Sequence, residues 1–393
     1  MAGWGGSAAV GCLAGVGALG LGRSFWWSSE VQEVYSAQVL LLGLVVWMLL
    51  RASTQPQGQG ARSWWYGAGA IYGVAMGVHA FLIMYLPALV AYAWGEWRRR
   101  RWGAKEALTL CMWIMLGLSV YIYLPVRSEA GTVLDWGSTS RWSSFVYHLT
   151  DRKDAPEHFA IERARLGYQI GQFARGLASE VGLPLGILAA AGLVVQARRT
   201  RREFILLLLI GTIHWGYFVR TWTSGFGFLP VFLVIALWSA LGAAALAESL
   251  RSRRVPARRA LTWPALAVGT SLAALALTNL PHSGKQDYYT PYRYAHTILN
   301  SIDENGVLFV LHGWFESLYM QGVENRRPDV DVLFRNAFYK KEHRFADVSK
   351  EAYPRLHYPN FAEGDTPGRR MALLVRQNIA ERPIYWDPEE DQK

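Results

Sequence analysis

Residues 64–101 read WWYGAGAIYGVAMGVHAFLIMYLPALVAYAWGEWRRRR, and the reading of this run decides the fold. A helix that crosses roughly 30 Å of hydrocarbon needs about 20 apolar residues, or about 17 at the short end. The stretch 64–96 is too long for one crossing and short for two. Arg51 and Arg62 precede it, and Arg98 to Arg101 follow it. Clusters of Arg and Lys mark cytoplasmic loops, so an even number of crossings should separate these two. The run is therefore read as two short crossings that meet near Gly77-Val78-His79 at the outer side. A single span with one cluster on the wrong side is the alternative.

Outward from this run, further apolar stretches cover 3–21, 34–50, 108–126, 181–197, 204–222, 229–248 and 261–280. Together they predict nine crossings with the N-terminus inside. Segments 22–33, 127–180, 223–228 and everything after 281 then lie outside. The stretch 1–21 is rich in Gly and Ala and lacks a basic start. It reads as a packed transmembrane helix with small-residue faces rather than a signal peptide.

Composition agrees. The 393 residues are 52 % hydrophobic, only 18 % charged, and include 18 Trp, a residue favoured at membrane interfaces. Mean hydropathy is only +0.10, as for a membrane part diluted by a soluble part. Net charge is +10, with 15 Lys and Arg against 17 Asp and Glu in 282–393, leaving 25 against 13 in 1–281. The basic excess sits between apolar runs, at 98–101, 198–202 and 251–259. That placement excludes nucleic-acid binding and marks a multi-pass membrane protein. The two cysteines, Cys12 and Cys111, lie in apolar stretches and read as small core residues, which excludes a disulfide scaffold. Arg outnumbers Lys 33 to 7, as in GC-rich bacterial genomes.

The chain thus divides into a transmembrane helical domain, 1–281, and a soluble α/β domain, 282–393. Within the first, 127–180 carries Trp136, Trp142, Tyr147, Phe159 and Tyr168 among charges and reads as amphipathic helices at the membrane surface. In the second, helices are predicted over 292–302, 316–325 and 369–380, and strands over 307–311, 329–334 and 383–386. Apolar strands joined by helix-length connections predict a parallel sheet. Ligands of such sheets bind beyond the carboxyl ends of the strands, here His312-Gly313-Trp314, Arg335-Asn336 and Asp387.

No P-loop, nucleophile elbow, zinc-protease motif or dinucleotide fingerprint is present, and no Cys/His spacing suits a metal. Chemistry must come from polar residues at the outer face. Glu30 and Glu33 precede the run 34–50. Glu33 is either a general base or a carboxylate favoured by the dipole at a helix start. His79 lies between two half-crossings and is either functional or a helix-break residue satisfied by a backbone carbonyl. Arg127 and Arg220 end crossings on the outer side, where each could pair with a phosphate or snorkel to headgroups. Asp135-Trp136-Gly137 and His148 in the long outer segment are substrate-binding candidates or an ordinary turn and surface histidine. Glu33, His79 and Arg127 are expected to converge on one outer cavity.

These residues carry a resemblance. Ser24-Phe25-Trp26 with Glu33-Val34-Tyr35, Gly77-Val78-His79 with Leu86-Pro87, and Tyr123-Leu124-Pro125-Val126-Arg127-Ser128 with Asp135-Trp136-Gly137 are similar to motifs of domain-of-unknown-function family 2723. So are Phe228-Leu229-Pro230 with Leu237-Trp238, Tyr294-Ala295, Ile298-Leu299, Asn305 to Phe309, Tyr319 to Val330 and Arg382-Pro383-Ile384-Tyr385. The matches run in order from 24 to 386. That family resembles GT-C-type membrane glycosyltransferases and includes a transmembrane O-mannosyltransferase.

The resemblance implies transfer of a sugar from a polyprenyl-phosphate donor to an acceptor hydroxyl on protein or glycan, with no further cofactor. Glu33 is the best surviving candidate for the base that activates the acceptor, or for orienting it, and His79, Arg127, Asp135, Trp136, His148 and Arg220 are the substrate-binding candidates. His312, Trp314 and Arg335 follow as C-terminal-domain candidates. Segment 1–21 aligns with a later helix of the family. About two spans and the acidic outer loop that holds the family's catalytic carboxylate are therefore expected to be missing, and Ser138 stands where the family has Asp. Three alternatives stay open: an inactive relative, a transporter or flippase for lipid-linked sugars, and a non-catalytic membrane-anchored binding protein. The expected membrane is a bacterial plasma membrane, or the endoplasmic reticulum in a eukaryote, with the C-terminal domain extracytoplasmic.

Overall fold

The computed structural model describes residues 5–31, 33–56, 59–130, 135, 137–150, 152, 158–221, 225–253, 256–335, 338, 353–362 and 364–387. The chain divides into two compact units, Met1–Tyr121 with Asp154–Lys285, and Ile122–Lys153 with Gln286–Lys393. The segment 122–153 groups with the C-terminal residues.

The first unit is helical, as unbroken apolar runs without water to satisfy their backbone must be. In chain order it holds α1 (Gly5–Gly20), α2 (Arg23–Glu30), α3 (Tyr35–Thr54), α4 (Gln59–Val78), α5 (Leu86–Arg100) and α6 (Ala104–Leu118). After α7 (Tyr123–Glu129) and α8 (Trp142–Leu149) of the second unit come α9 (Leu166–Glu180), α10 (Leu183–Arg199), α11 (Arg201–Thr221), α12 (Leu229–Ser252) and α13 (Ala257–Ser283). Pro87, Pro184 and Pro230 sit in the first turns of α5, α10 and α12, where the missing N–H costs nothing.

Among the described residues six helical stretches are long and apolar enough to cross a membrane: Tyr35–Thr54, Ala80–Arg100, Ala104–Glu129, Arg201–Thr221, Gly225–Ser252 and Arg258–Ser283. Two bent pairs raise the number to eight, α1 with α2 (64°) and Arg163–Glu180 with α10 (104°). The expected break between two helices at His79 is present: α4 ends at Val78 and a 3-10 turn, Ala80–Tyr85, leads into α5. The chain therefore has the helices of a multi-pass membrane protein.

Small residues set the packing. A Cβ on Gly73 would lie 2.3 Å from the Ile114 carbonyl oxygen and 2.8 Å from Gly117 Cα, so α4 and α6 touch backbone to backbone. A Cβ on Gly192 would lie 1.8 Å from the Trp238 carbonyl oxygen, closing α10 on α12 in the same way. Between helices in lipid, such close approach replaces the hydrophobic drive. The reading of Cys12 and Cys111 as core residues is corrected: both are exposed, on outward faces of α1 and α6, where an apolar run has a lipid-facing side as well as a packed one.

One end of this unit is tied by arginines. Glu96 of α5 is buried and accepts from Arg99 (2.5 and 2.9 Å), Arg100 (3.1 Å) and Arg202 (3.1 Å). Arg100 also donates to the carbonyls of Ala52 (2.6 Å) and Gln55 (3.3 Å), satisfying the C-terminus of α3. Arg62 pairs with Glu106 at 2.9 Å. Tyr35 opens α3 and Ala52 nears its close, so this helix, ~30 Å long, separates the arginine end from the end that holds His79.

The second unit carries a three-stranded parallel sheet of order β2-β1-β3: β1 (Val307–Val310), β2 (Asp331–Phe334) and β3 (Ile384–Trp386). Val307 pairs with both Asp331 and Ile384, the parallel arrangement the apolar runs predict. Side chains alternate across β1. Leu308 and Val310 join one core with Leu299 of α14 (Thr290–Asn300) and Trp314 and Met320 of α15 (Trp314–Gly322). Val307 and Phe309 join the other with Met371 and Leu374 of α16 (Pro367–Asn378). Asp331 is fully buried at the start of β2 and is held by Arg355 (2.9 Å) and Arg382.

Candidate functional site

The end of the first unit away from the arginine knot is walled by aromatic rings. His79 sits at the chain break with an extended backbone (φ −152°), and its Nδ1 accepts the Phe81 amide at 3.3 Å, capping the 3-10 turn. The backbone partner here is an amide, not the carbonyl of the bland reading. The ring is half-buried and packs on Phe81 (4.6 Å) and Tyr35 (5.4 Å). Tyr35 in turn contacts Phe226 at 5.0 Å, and Phe226 stacks with Trp27 at 5.8 Å.

Glu33 is exposed two residues ahead of Tyr35, and no described ion pair or side-chain hydrogen bond engages its carboxylate. On the far side, Phe81 contacts Tyr217 (5.3 Å), Tyr217 contacts Phe159 (5.2 Å), and the Arg220 guanidinium lies 5.7 Å from the Phe159 ring centre. The Arg220 carbonyl accepts from Ile161 at 3.0 Å. Glu33, His79 and Arg220 therefore share one end of the unit, linked through one aromatic series.

Behind this wall is a buried group the sequence hid. His214 lies in the middle of the apolar run 204–222. Its Nε2 meets the Gly227 carbonyl at 2.6 Å and its Nδ1 meets the Tyr85 hydroxyl at 2.6 Å. A carbonyl can only accept, so Nε2 carries the proton and Tyr85 donates to Nδ1. The pair fixes the turn Gly225–Phe228, and with it Phe226, against the bundle.

A cavity of about 390 Å³ opens beside this turn. Arg23, Ser24 and Trp27 of α2, Ser179 and Glu180 of α9, Gly225, Phe226 and His282 line it. Glu180 is only 6 % exposed. Its Oε2 accepts the Ser24 amide at 3.0 Å, and its Oε1 accepts the Ser24 hydroxyl at 2.5 Å and the amide at 3.2 Å. A carboxylate at a helix start satisfies donors that have no intrahelical partner. Asn279 of α13 donates to the carbonyls of Leu21 (2.8 Å) and Ser179 (2.7 Å), and the Lys285 ammonium lies 5.8 Å from the Trp27 ring centre. Sequence reading missed Arg23, Ser24, Glu180 and His282. The one available signal was a carboxylate, Glu180, at the edge of an apolar run.

The remaining expected residues belong to the second unit. Arg127 is exposed in α7. Asp135 accepts from the Ser128 hydroxyl at 2.5 Å, and that hydroxyl accepts the Ser140 amide at 3.0 Å, so Asp135 holds a turn. Trp136 lies outside the described residues. His148 is half-buried in α8. The expected convergence of Glu33, His79 and Arg127 spans both units, and each residue is placed here within its own.

The three strand ends share one edge of the sheet. Asp387, buried after β3, accepts the amides of Leu311 (3.4 Å) and His312 (3.3 Å) and the Tyr294 hydroxyl. Burial, and then the Asp387 carboxylate, push the Tyr294 hydroxyl well above the usual phenol range. His312 itself is exposed. Trp314 is a core residue, stacked on Phe334 at 4.9 Å with Nε1 donating to the Val332 carbonyl at 3.1 Å. Arg335 is buried after β2, with its guanidinium 5.5 Å from the Trp386 ring centre. Among the described residues no cluster of His, Cys, Asp and Glu could hold a metal ion.

No curated protein matches this chain. Residues 5–120, which carry Ser24, Glu33, Tyr35 and His79, match the family model described as the protein O-mannosyl-transferase TMEM260 N-terminal domain, and over that stretch the chain is similar to a domain of a mannosyltransferase.

Proposed function

We propose that this chain is a GT-C-like membrane glycosyltransferase that moves a sugar from a polyprenyl-phosphate donor to a hydroxyl on a protein or glycan acceptor. The observation that carries the reading is the match of residues 5–120 to an O-mannosyl-transferase domain. The aromatic end of the bundle supports it, because Glu33, His79 and Arg220 gather there. In this reading the chain crosses the membrane nine times, the arginine end faces the cytoplasm, and the aromatic end and the C-terminal unit lie outside.

Glu33 takes the proton of the acceptor hydroxyl. The acceptor oxygen forms a bond to the anomeric carbon, and the bond from that carbon to the donor phosphate oxygen breaks. The phosphate leaves with the electron pair, held by Arg220, with His79 donating through Nε2. Within the second unit, Arg127, Asp135, Trp136, His148, His312 and Arg335 are the candidates for substrate binding. Membrane lipid, the donor and the acceptor are the only partners required. The test is transfer of labelled mannose from polyprenyl-phosphate mannose to acceptor protein by the full chain in vesicles. Transfer that requires Glu33 supports the reading, and labelled donor left intact with every acceptor opposes it.

A second reading, a flippase for lipid-linked sugars, draws on the bent pairs at 64° and 104°, since transporters place broken helices at their binding sites. Movement of the donor between leaflets without sugar transfer would favour it.

A further inference from the structure

We propose that the cavity at Glu180 binds a phosphodiester carrying a primary ammonium, the headgroup of a phosphatidylethanolamine-type lipid. The cavity brings charges of both signs to one place. Glu180 is its buried anion, and Arg23 and His282 are lining bases, with Lys285 beside the lining Trp27. None of the described ion pairs includes Glu180. Its three hydrogen bonds all come from Ser24 and are donated by neutral groups. A buried carboxylate without a paired cation is costly, and a ligand ammonium would supply both the counter-charge and further donors. A phosphatidylglycerol headgroup lacks that ammonium and would bring only negative charge to Glu180. A quaternary ammonium has the charge but no N–H to give.

The opposite end of the same ligand fits the rest of the lining. A phosphodiester is held by Arg23, which can bind it through two parallel N–H donors. Trp27 and Phe226, stacked at 5.8 Å, give an apolar wall for the start of the acyl region. The volume of about 390 Å³ is within the range of small-ligand sites. A Cβ on Gly225 would meet the Ser24 hydroxyl at 2.2 Å, so the glycine lets the turn close over the Ser24–Glu180 pair without displacing it. The inference uses the outward placement of this end but not glycosyl transfer. Lipid binding is measured with no donor present, so its failure and that of the enzymatic reading are separable.

The test is native mass spectrometry of the full chain taken from vesicles of equal phosphatidylethanolamine, phosphatidylcholine and phosphatidylglycerol. The wild type is expected to retain phosphatidylethanolamine over the other two. Glu180→Gln and Arg23→Gln are each expected to weaken that retention about tenfold. Arg23 is exposed, so Arg23→Gln decides the matter if Glu180→Gln fails to fold. Equal retention of the three lipids, or phosphatidylethanolamine retention unchanged in Arg23→Gln, overturns the proposal.

Discussion

Ser24 and Glu180, 156 residues apart, are joined by three hydrogen bonds: the Ser24 amide donates to both carboxylate oxygens at 3.0 and 3.2 Å, and its hydroxyl donates to Oε1 at 2.5 Å. The contact ties the start of α2 to the end of α9, at the bends of both broken helix pairs. It also forms the floor of the cavity.

Breaking this contact should loosen the bundle. Glu180→Ala leaves the Ser24 amide and hydroxyl without partners and should lower stability by about 1–3 kcal/mol. Ser24→Ala removes one hydrogen bond and should cost about 0.5–1.5 kcal/mol. In a double-mutant cycle the two losses should fall short of additive. Thermal unfolding in detergent reads all three variants, and full additivity would mean that the two residues act independently.

Backbone contact between α10 and α12 predicts a sharp contrast within one helix. Gly192→Ala drives a methyl to within 1.8 Å of the Trp238 carbonyl oxygen, whereas a Cβ on Gly186 meets nothing within 4 Å. The first should destabilise by at least about 1–3 kcal/mol. The second should be neutral or slightly stabilising, as Ala for Gly in a helix usually is. Equal unfolding temperatures for the two variants would contradict this packing.

The C-terminal unit should show a defined acid branch. Arg327 donates to Asp329 at 2.9 and 3.0 Å, and this contact, with the Asn305 amide, holds the Asp329 carboxyl down to about 2. A depressed carboxyl adds stability that is fully present above its unfolded value, ~3.9, and is lost as pH falls through about 2. Hydrogen exchange at the Asn305 amide, bonded to Asp329 at 3.1 Å, should lose protection across that window. Asp329→Asn should remove the pH step while weakening protection at neutral pH.

The two arginines on Asp331 should differ in weight. Arg382 is 10 % exposed at its side chain and Arg355 is 48 % exposed. Removing Arg382 leaves a buried carboxylate short of its buried partner, at a cost of about 3–5 kcal/mol. Arg355→Ala removes a surface partner and should cost about 0–1 kcal/mol. Denaturant unfolding of the second unit, followed through exchange at β2, compares them.

Legibility in the sequence followed the range of the interactions. Val307 to Val310 and Val332 to Phe334 are continuous apolar runs a helix apart, and they form adjacent parallel strands. His79 stood out because the run 64–96 is too long for one crossing and short for two, and the helix does break there. Glu180 left only the trace of a carboxylate at the edge of an apolar run, since its partner, Ser24, is 156 residues away. His214 was hidden by the Leu- and Ile-rich helix around it, although Tyr85 and Gly227 engage both of its nitrogens. Trp314 looked like a strand-end ligand group but is core, because its ring packs back on Phe334.

The central claim is sugar transfer that depends on Glu33. The most direct measurement is transfer of labelled mannose from polyprenyl-phosphate mannose to an acceptor protein by the full chain in vesicles, wild type against Glu33→Gln. Loss of a general base costs about 10²–10⁴-fold. The account predicts measurable transfer by the wild type and a fall of that size in Glu33→Gln, with donor binding retained. Transfer that proceeds undiminished in Glu33→Gln would contradict it.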